Sequence, residues 1–384
     1  MRTIPLESNS GNIMVCREPE EILGMDSLKQ TLNILHISDL HRGQERDELV
    51  WGEVRGKFHK DVLRHMEDNG AIDIVIFSGD ITSRGQKKEF SAVVTELQRL
   101  WSVFESRAVR PKLLVVPGNH DLVRPPQGDP LVVNALSLRG HPSVRADLFG
   151  KRSNAWKQSV KKAFKNYTSF VRALRDTGID LVLDVEGKIP GDVSGKFSVN
   201  GLNVGVVGLN SAWTHVVGGN LINKLDIYPE QLASVVGQDA YDWSRDCHVS
   251  LLVTHHPEAW LNDAARKDFK EIIFSQAVFD AHLFGHMHEP RPMNLQVGAY
   301  TSWSFQAPSL YGLEKIWGDL QRIHGFSFFK FRAATEEMEC WPRVVRRTVM
   351  GEVQILADDS MLKESESFKW KWVPNKLEVN AEKK

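Results

Sequence analysis

The chain reads as an α/β protein on two observations. Short, largely apolar runs, Leu32 to Ile37, Ile72 to Phe77 and Leu113 to Val116, each stop abruptly in a polar turn. Stretches with helical spacing of apolar residues separate these runs. Strand, polar turn, helix, strand is the signature of an α/β sheet.

Taken in order, residues 1–30 are mixed and polar, with the turn-forming cluster Ser8-Asn9-Ser10-Gly11-Asn12, and read as an extension. Leu32 to Ile37 is the first strand and stops at Ser38-Asp39-Leu40-His41. Val54, Phe58, Val62, Leu63 and Met66 then predict a helix across roughly 50–68. Ile72 to Phe77, apolar except for Asp73, predicts a buried strand ending in Ser78-Gly79-Asp80. An amphipathic helix over about 87–105 follows. The run Leu113 to Val116 repeats the strand, and Pro117 and Gly118 break it just before Asn119-His120-Asp121. Such turns hold polar groups at the sheet rim, where open α/β sheets bind ligands.

Residues 122–150 are loop-like, with Pro125, Pro126, Pro130 and Pro142. A helix is expected over 152–176, with Trp156, Val160, Phe164, Phe170 and Val171 on one broad face and Lys157, Lys161 and Lys165 away from it. After residue 180 the texture turns to β. Strands are expected at Leu181–Val185, Lys196–Val199 and Leu202–Leu209, with an Asn200-Gly201 hairpin turn between the last two. Tyr228–Val236 reads as a short helix, and Val249–Val253 as a strand ending in Thr254-His255-His256-Pro257. A helix near 262–275 precedes the strand Ala281–Phe284, which ends in Gly285-His286-Met287-His288. Strands near 292–308 and 326–332 follow. Residues 334–384 read as a C-terminal extension, β-like at Val344–Leu356, with a charged tail too polar to pack well.

Composition sets outer limits. Of 384 residues, 42% are hydrophobic and 25% charged, which is ordinary globular composition. A formal net charge of -1 removes any bulk electrostatic argument for nucleic acid or membrane, so attraction to anions must be local. Cys16, Cys247 and Cys340 are too far apart for a disulfide framework or zinc spacing, which favours a reducing compartment. No apolar run approaches the roughly 20 residues of a spanning helix, and the first residues lack a signal-peptide core. The expectation is a cytoplasmic protein with no membrane partner.

The polar turns carry the chemistry. Asp39 and His41, two apart at a strand end, fall on the same side if strand geometry continues, and His286 and His288 repeat that spacing. Asp80, Asn119 and His255 each stand just beyond a buried strand. Together the seven offer two carboxylates, four imidazoles and one amide oxygen. Mixed nitrogen and oxygen donors without cysteine suit Mn²⁺, Fe or Zn²⁺ better than Mg²⁺ or Ca²⁺. Seven donors are too many for one such ion but suit two, if one carboxylate bridges.

Asp39-x-His41, Gly79-Asp80, Gly118-Asn119-His120-Asp121, the His255 of Thr-His-His-Pro and Gly285-His286-x-His288 occur in one order along the chain. In this the sequence resembles the calcineurin-like metallophosphoesterase family over roughly residues 32–333. The resemblance implies a two-layer β-sandwich flanked by helices, with residues 31–333 as the catalytic domain and a helical insertion at about 134–178. It also implies two divalent ions, Mn²⁺ first among the candidates. Asp39, His41 and His288 would hold one and Asn119, His255 and His286 the other, with Asp80 bridging. His120 would not be a ligand but the donor of a proton to the leaving oxygen, and Asp121 could orient it. Two cations screen an anionic ester and activate water, and an imidazole suits the proton the leaving alkoxide needs.

Two departures bear on the branch. Ser83 stands where phosphoprotein phosphatases of this superfamily carry a second aspartate, and Asp121 follows the Gly-Asn-His motif in place of glutamate. Both resemble the phosphodiesterase and nuclease branches. The implied function is hydrolysis of phosphodiesters, with nucleotide-type substrates favoured and nucleic acid possible. A phosphomonoesterase, a nuclease and a non-catalytic metal-binding scaffold are the alternatives.

Other residues have plainer readings. His256 is expected in a turn or behind the ligands, and His36 packed inside its strand. His215, in a loop, is a candidate to reach substrate. From Arg139 to Asp176 there are ten Lys or Arg against Asp147 and Asp176, a face suited to a phosphate backbone or, more often, simply solvated.

Overall fold

In the first strands of this computed structural model, alternate side chains go to two different cores, and that is why the sequence there is largely apolar, with Asn33 and His36 as polar exceptions in the first strand. The structure describes residues 30–44, 47–129, 132, 142–152, 154–275, 277–287, 291–297, 300–311, 314–316, 319–321, 324–362 and 365–372. Strands β1 (Thr31–Ile37), β2 (Ile74–Phe77) and β3 (Lys112–Val115) pair in parallel in that order. Leu32, Ile34, Ile74, Ile76 and Leu114 face one core, while Leu35, Ile37, Val75, Phe77, Leu113 and Val115 face another.

The second of these cores is closed by helices α1 (Asp47–Asn69) and α2 (Lys87–Glu105). Phe90, Val93, Leu97, Leu100 and Phe104 of α2 are buried at three- and four-residue steps, the apolar stripe of a surface helix. The first core lies between two sheets. The second sheet contains β4 (Val185–Glu186), β5 (Val193–Val199), β6 (Leu202–Gly208), β7 (Val249–Val253), β8 (Ala281–Phe284), β9 (Arg291–Val297) and β10 (Tyr300–Gln306), in the order β4-β5-β6-β7-β8-β10-β9. Val204, Val206, Leu251, Val253 and Leu283 point from it into the inter-sheet core. Its outer face packs on α6 (Pro229–Val236), which the short α7 (Ala240–Ser244) follows, on α8 (Asp263–Asp268) and on the π-turn Phe269–Ile273, through Leu232, Val235, Phe269 and Ile273. The layers are thus helix, sheet, sheet, helix, which is the sandwich expected.

Four features depart from the sequence reading. The helix expected over 152–176 is two, α4 (Ala155–Ala163) and α5 (Lys165–Arg175), preceded by α3 (Pro142–Phe149). The chain leaves helical geometry at Phe164 (φ -96°, ψ 15°), whose ring is fully buried. The bend redirects α5 so that Phe170 stacks on Phe90, ring centroids 5.0 Å apart. Next, Leu181–Val185 is not a strand in its own right. Leu113 N–H donates to Asp180 O (2.8 Å) and Val182 N–H to Leu113 O (2.9 Å), so the segment covers the open edge of β3. The expected helix near 262–275 is α8 shortened by the π-turn.

Last, the C-terminal residues are part of the first sheet. After the small ribbon of β11 (Glu314–Ile316) and β12 (Asp319–Gln321), β13 (His324–Arg332) pairs antiparallel with β1, β14 (Glu337–Arg347) with β13, and both β15 (Val353–Ala357) and β16 (Phe368–Lys371) with β14. Met338, Cys340, Trp341, Val344 and Val345 are buried, and so is Trp372. The Arg343 guanidinium donates two bonds to Asp61 of α1 (2.9 and 2.7 Å), both side chains buried. The N-terminal extension through residue 29 and the end of the tail from 373 lie outside the described residues. Among those described, no helix is long and apolar enough to cross a membrane.

Candidate metal centre

Parallel pairing decides where the polar turns go. β1, β2 and β3 point the same way, so Asp39, Asp80 and Asn119-His120 emerge at one edge of the first sheet. β7 and β8 are likewise parallel neighbours and deliver His255 and His286 from the second. The two edges meet.

The turns are locked together by backbone. Asp39 N–H donates to Gly79 O (2.9 Å), His41 N–H to Asp80 O (2.9 Å) and Arg42 N–H to Ile81 O (3.0 Å). Asp39 (φ 53°), His41 (φ 47°), Asp80 (φ 49°) and His286 (φ 73°) all sit in the left-handed region, which costs on the order of 1 kcal/mol or more for each non-glycine residue. Gly118 has no strain to relieve; its role is space. A Cβ there would fall on the Asp80 carboxylate.

Asp80 is the hub. Its Oδ1 accepts from His120 N–H (2.7 Å), and its Oδ2 lies 3.3 Å from His255 Nε2 and 4.0 Å from His41 Nε2. Asp39 Oδ1 lies 3.6 Å from His41 Nε2, and Asp39 Oδ2 accepts from His286 N–H (3.1 Å). His255 Nδ1–H donates to Ser78 O (2.8 Å), which fixes the tautomer and turns Nε2 toward Asp80 and toward His286 Nδ1, 3.2 Å away. Donor atoms within 4.8 Å of one another group Asp39, Asp80 and His255; His41, Asp80 and His120; and His255, His256 and His286. Asp80 and His255 are each shared between two groups.

Burial and charge oppose each other here. Burial alone would raise the Asp80 carboxyl, but His255, His120 and His41 beside it hold it well below the usual range. Burial would lower His255, yet the Asp80 carboxylate drives it up to about 9. Burial, reinforced by neighbouring imidazoles, keeps His286 and His256 well below the ordinary value. An anionic carboxylate among imidazoles, with His286 and His256 held neutral, is a donor set a divalent cation takes in exchange for the proton on His255. Asn119 adds a further sign. It is 5% exposed, and its Oδ1 is buried with no hydrogen-bond partner among the described residues. A buried amide oxygen left without a donor is unfavourable unless a cation takes it. The residues present fit a metal.

Of the predicted ligands, Asp39, His41, Asp80, His255 and His286 come together, while His288 lies outside the described residues. The expected pairing of Asp121 with the His120 ring does not form. His120 Nδ1–H donates instead to Ser83 O (2.8 Å). The Asp121 carboxylate accepts from Gly118 N–H (2.9 Å), Ile81 N–H (3.0 Å), Thr82 N–H (2.8 Å) and the Thr82 hydroxyl (2.9 Å). It is fully occupied in joining the Asp80 turn to the Asn119 turn.

His256 stands behind the ligands, bonded to Ser211 Oγ (3.0 Å) and to His215 Nδ1 (3.0 Å). His36 is packed within β1 against Ser78 Oγ (2.9 Å). His215 is buried and stacks on Trp260, centroids 5.8 Å apart. Trp260 itself had no signal in the sequence. Its ring meets the His286 edge at 4.0 Å, and its indole N–H points to Met287 Sδ (3.1 Å).

Two face-packed sheets whose strand ends bring together shared carboxylate and imidazole donors define a class of protein with a candidate metal centre between the sheet rims. A family model for calcineurin-like phosphoesterases matches residues 32–290, and the chain belongs to that family, whose members hydrolyse phosphoesters with dinuclear metal centres. No protein of curated function matches the sequence. Among solved structures, the chain is similar to a purple acid phosphatase from yellow lupin seeds, at 11% identity and a TM-score of 0.45. That match covers 90% of this chain and 54% of the phosphatase, so the chain spans about half of that protein. It is also similar to Chaetomium thermophilum Vps29 (11% identity, TM-score 0.35, covering 89% of this chain and 98% of that one). A hypothetical protein from Thermus thermophilus gives 11% identity and a TM-score of 0.38, with 89% and 100% covered.

Proposed function

We propose that the chain is a phosphodiesterase acting on nucleotide-type esters with two divalent ions, Mn²⁺ foremost. Asp39, His41 and His288 hold one ion in this reading, Asn119, His255 and His286 the other, and Asp80 serves both. Ions so held would supply Lewis-acid stabilisation of the phosphoryl group and an activated water. The observation that carries the proposal is the single Asp80 Oδ2, within 4.0 Å of both His41 Nε2 and His255 Nε2.

His120 supplies the proton. With Nδ1 committed to the Ser83 carbonyl, Nε2 is the nitrogen left to face the leaving oxygen. An alkoxide leaving from a phosphoester needs that proton. Ser83, in place of a second carboxylate, keeps the turn free of another charge near the substrate. Trp260, half-buried beside His286, would border the organic part of the ester. The buried, unbridged Cys247 and Cys340 support a reducing, cytoplasmic setting.

Purified protein with Mn²⁺ should turn over bis-p-nitrophenyl phosphate faster than p-nitrophenyl phosphate. Preference for the monoester would sink the diesterase reading, and no metal-dependent turnover of either would leave a scaffold.

A further inference from the structure

Away from the metal centre, a cavity of about 470 Å³ lies where α4, α5 and the 181–193 segment meet β3. Its volume is that of a small-molecule site. Leu113, Val115, Val171, Leu181, Val182 and Ile189 line it, all buried or half-buried. Lys161, Lys165, Arg172 and Lys188 also line it, and all four are exposed. The aliphatic side chains are therefore at the inner end and the cations at the outer.

The charges are not neutralised from within. Lys161, Lys165 and Arg172 have no carboxylate partner among the described residues. Two acids share the lining. Glu186 is engaged by Arg175 (2.7 Å), and Asp192 Oδ1 accepts from Asn210 N–H (2.8 Å) and Gln231 Nε2 (2.9 Å). Lys188 is held over the Phe149 ring and donates to Phe149 O (2.7 Å). Three like charges gathered at one opening repel one another and attract an anion. The one aromatic ring in the lining, Tyr167, is buried with its hydroxyl given to Val115 O (3.0 Å). No ring offers a stacking face, so the ligand body is aliphatic.

We propose that this cavity is a second binding site, for a small amphiphilic anion. The anionic head sits among Lys161, Lys165 and Arg172, and a short aliphatic chain lies on Val171, Leu181 and Val182. A bare phosphate would leave the apolar wall unused. A nucleic-acid strand would need the cations without the cavity.

The probe is octanesulfonate, a poor metal ligand with no ester to hydrolyse, titrated calorimetrically into the Mn²⁺-loaded full chain. Inorganic phosphate and a short single-stranded oligonucleotide are titrated beside it. One octanesulfonate should bind per chain. Affinity should fall about tenfold or more in the double variant Lys165→Gln, Arg172→Gln, since two charge-assisted bonds are lost. Val171→Trp should block binding by filling the cavity with the charges intact, and thermal melts of both variants establish that they fold. Asp80→Ala should bind octanesulfonate as the parent does. The proposal fails if octanesulfonate does not bind at millimolar concentration, or binds but is indifferent to both variants. It fails equally if binding is lost with Asp80→Ala, or if phosphate or the oligonucleotide binds as tightly and shows the same losses.

Discussion

Four residues of the candidate centre, Asp39, His41, Asp80 and His286, hold left-handed backbone that only surrounding structure can enforce. The enforcement is visible atom by atom. Asp121 gathers two turns with one carboxylate, and Gly118 lets those turns close on Asp80. Gly118→Ala should therefore push the Asp80 carboxylate aside. It should cost about 1–3 kcal/mol in urea unfolding and most of the bound metal, and an unchanged metal content would show that the contact has slack. Asp121→Asn exchanges an acceptor oxygen for an amide that cannot take every N–H now bonded there. Turnover and melting temperature should fall together, and lost turnover at an unchanged melting temperature would instead indicate a direct role in proton transfer. Most of these residues are legible in the sequence, because a polar cluster just past an apolar run is a local pattern. The hold of Ser83 on His120 is not, since it is made by a backbone carbonyl that any residue possesses. Nor is Trp260, which matters only through the side chain it happens to meet.

At the scale of elements, the turn between β4 and β5 is fastened to the loop after β6 and to α6 through Asp192, which is 1% exposed. Asn210 N–H and Gln231 Nε2 both donate to Oδ1, and burial outweighs them to raise the carboxyl to about 7. The folded state thus holds its proton more tightly than the unfolded state, where the carboxyl titrates near 3.8. This contribution to stability is full below that value and is lost as pH rises through about 7. Asp192→Asn should abolish that decline, flattening stability between pH 5 and pH 8 by on the order of 2 kcal/mol. Identical pH slopes for parent and variant in denaturant melts would refute the assignment. The break at Phe164 illustrates what periodicity misses. No proline or glycine marks it, and it exists because the ring is drawn into the core that α5 shares with α2. The edge-covering segment at 181–185 is similar, being apolar enough for a strand but placed by β3.

For the whole molecule, the sequence pattern shows β texture beyond residue 334 but not where it goes, because strand partners are a tertiary property. The answer is that β14 pairs with β13 along nine residues and carries β15 and β16 with it. The Asp61–Arg343 pair then ties this part of the sheet to α1. A chain ending at residue 336 should accordingly fail to fold, since it exposes a full strand edge and the surface that Met338, Trp341 and Val344 bury. A soluble, cooperatively melting truncation would contradict this. Asp61→Ala leaves the buried Arg343 guanidinium only the exposed Glu366, 3.9 Å away, and should cost about 3 kcal/mol. The α/β character, by contrast, was legible from the opening strands, whose largely apolar runs end in polar turns, while the two-layer arrangement was implied only by the resemblance of those turns to the family's motifs.

The central claim is that one carboxylate, Asp80, organises two metal sites while His120 stands beside them as an acid. Metal content per chain, measured by plasma mass spectrometry on Mn²⁺-loaded and dialysed protein alongside turnover of bis-p-nitrophenyl phosphate, tests it most directly. The parent should retain two ions, and His120→Ala should keep both while losing about 10²–10⁴-fold in turnover. Asp80→Ala should lose metal and activity together. A parent that holds a single ion, or a His120→Ala protein that empties as Asp80→Ala does, would contradict it.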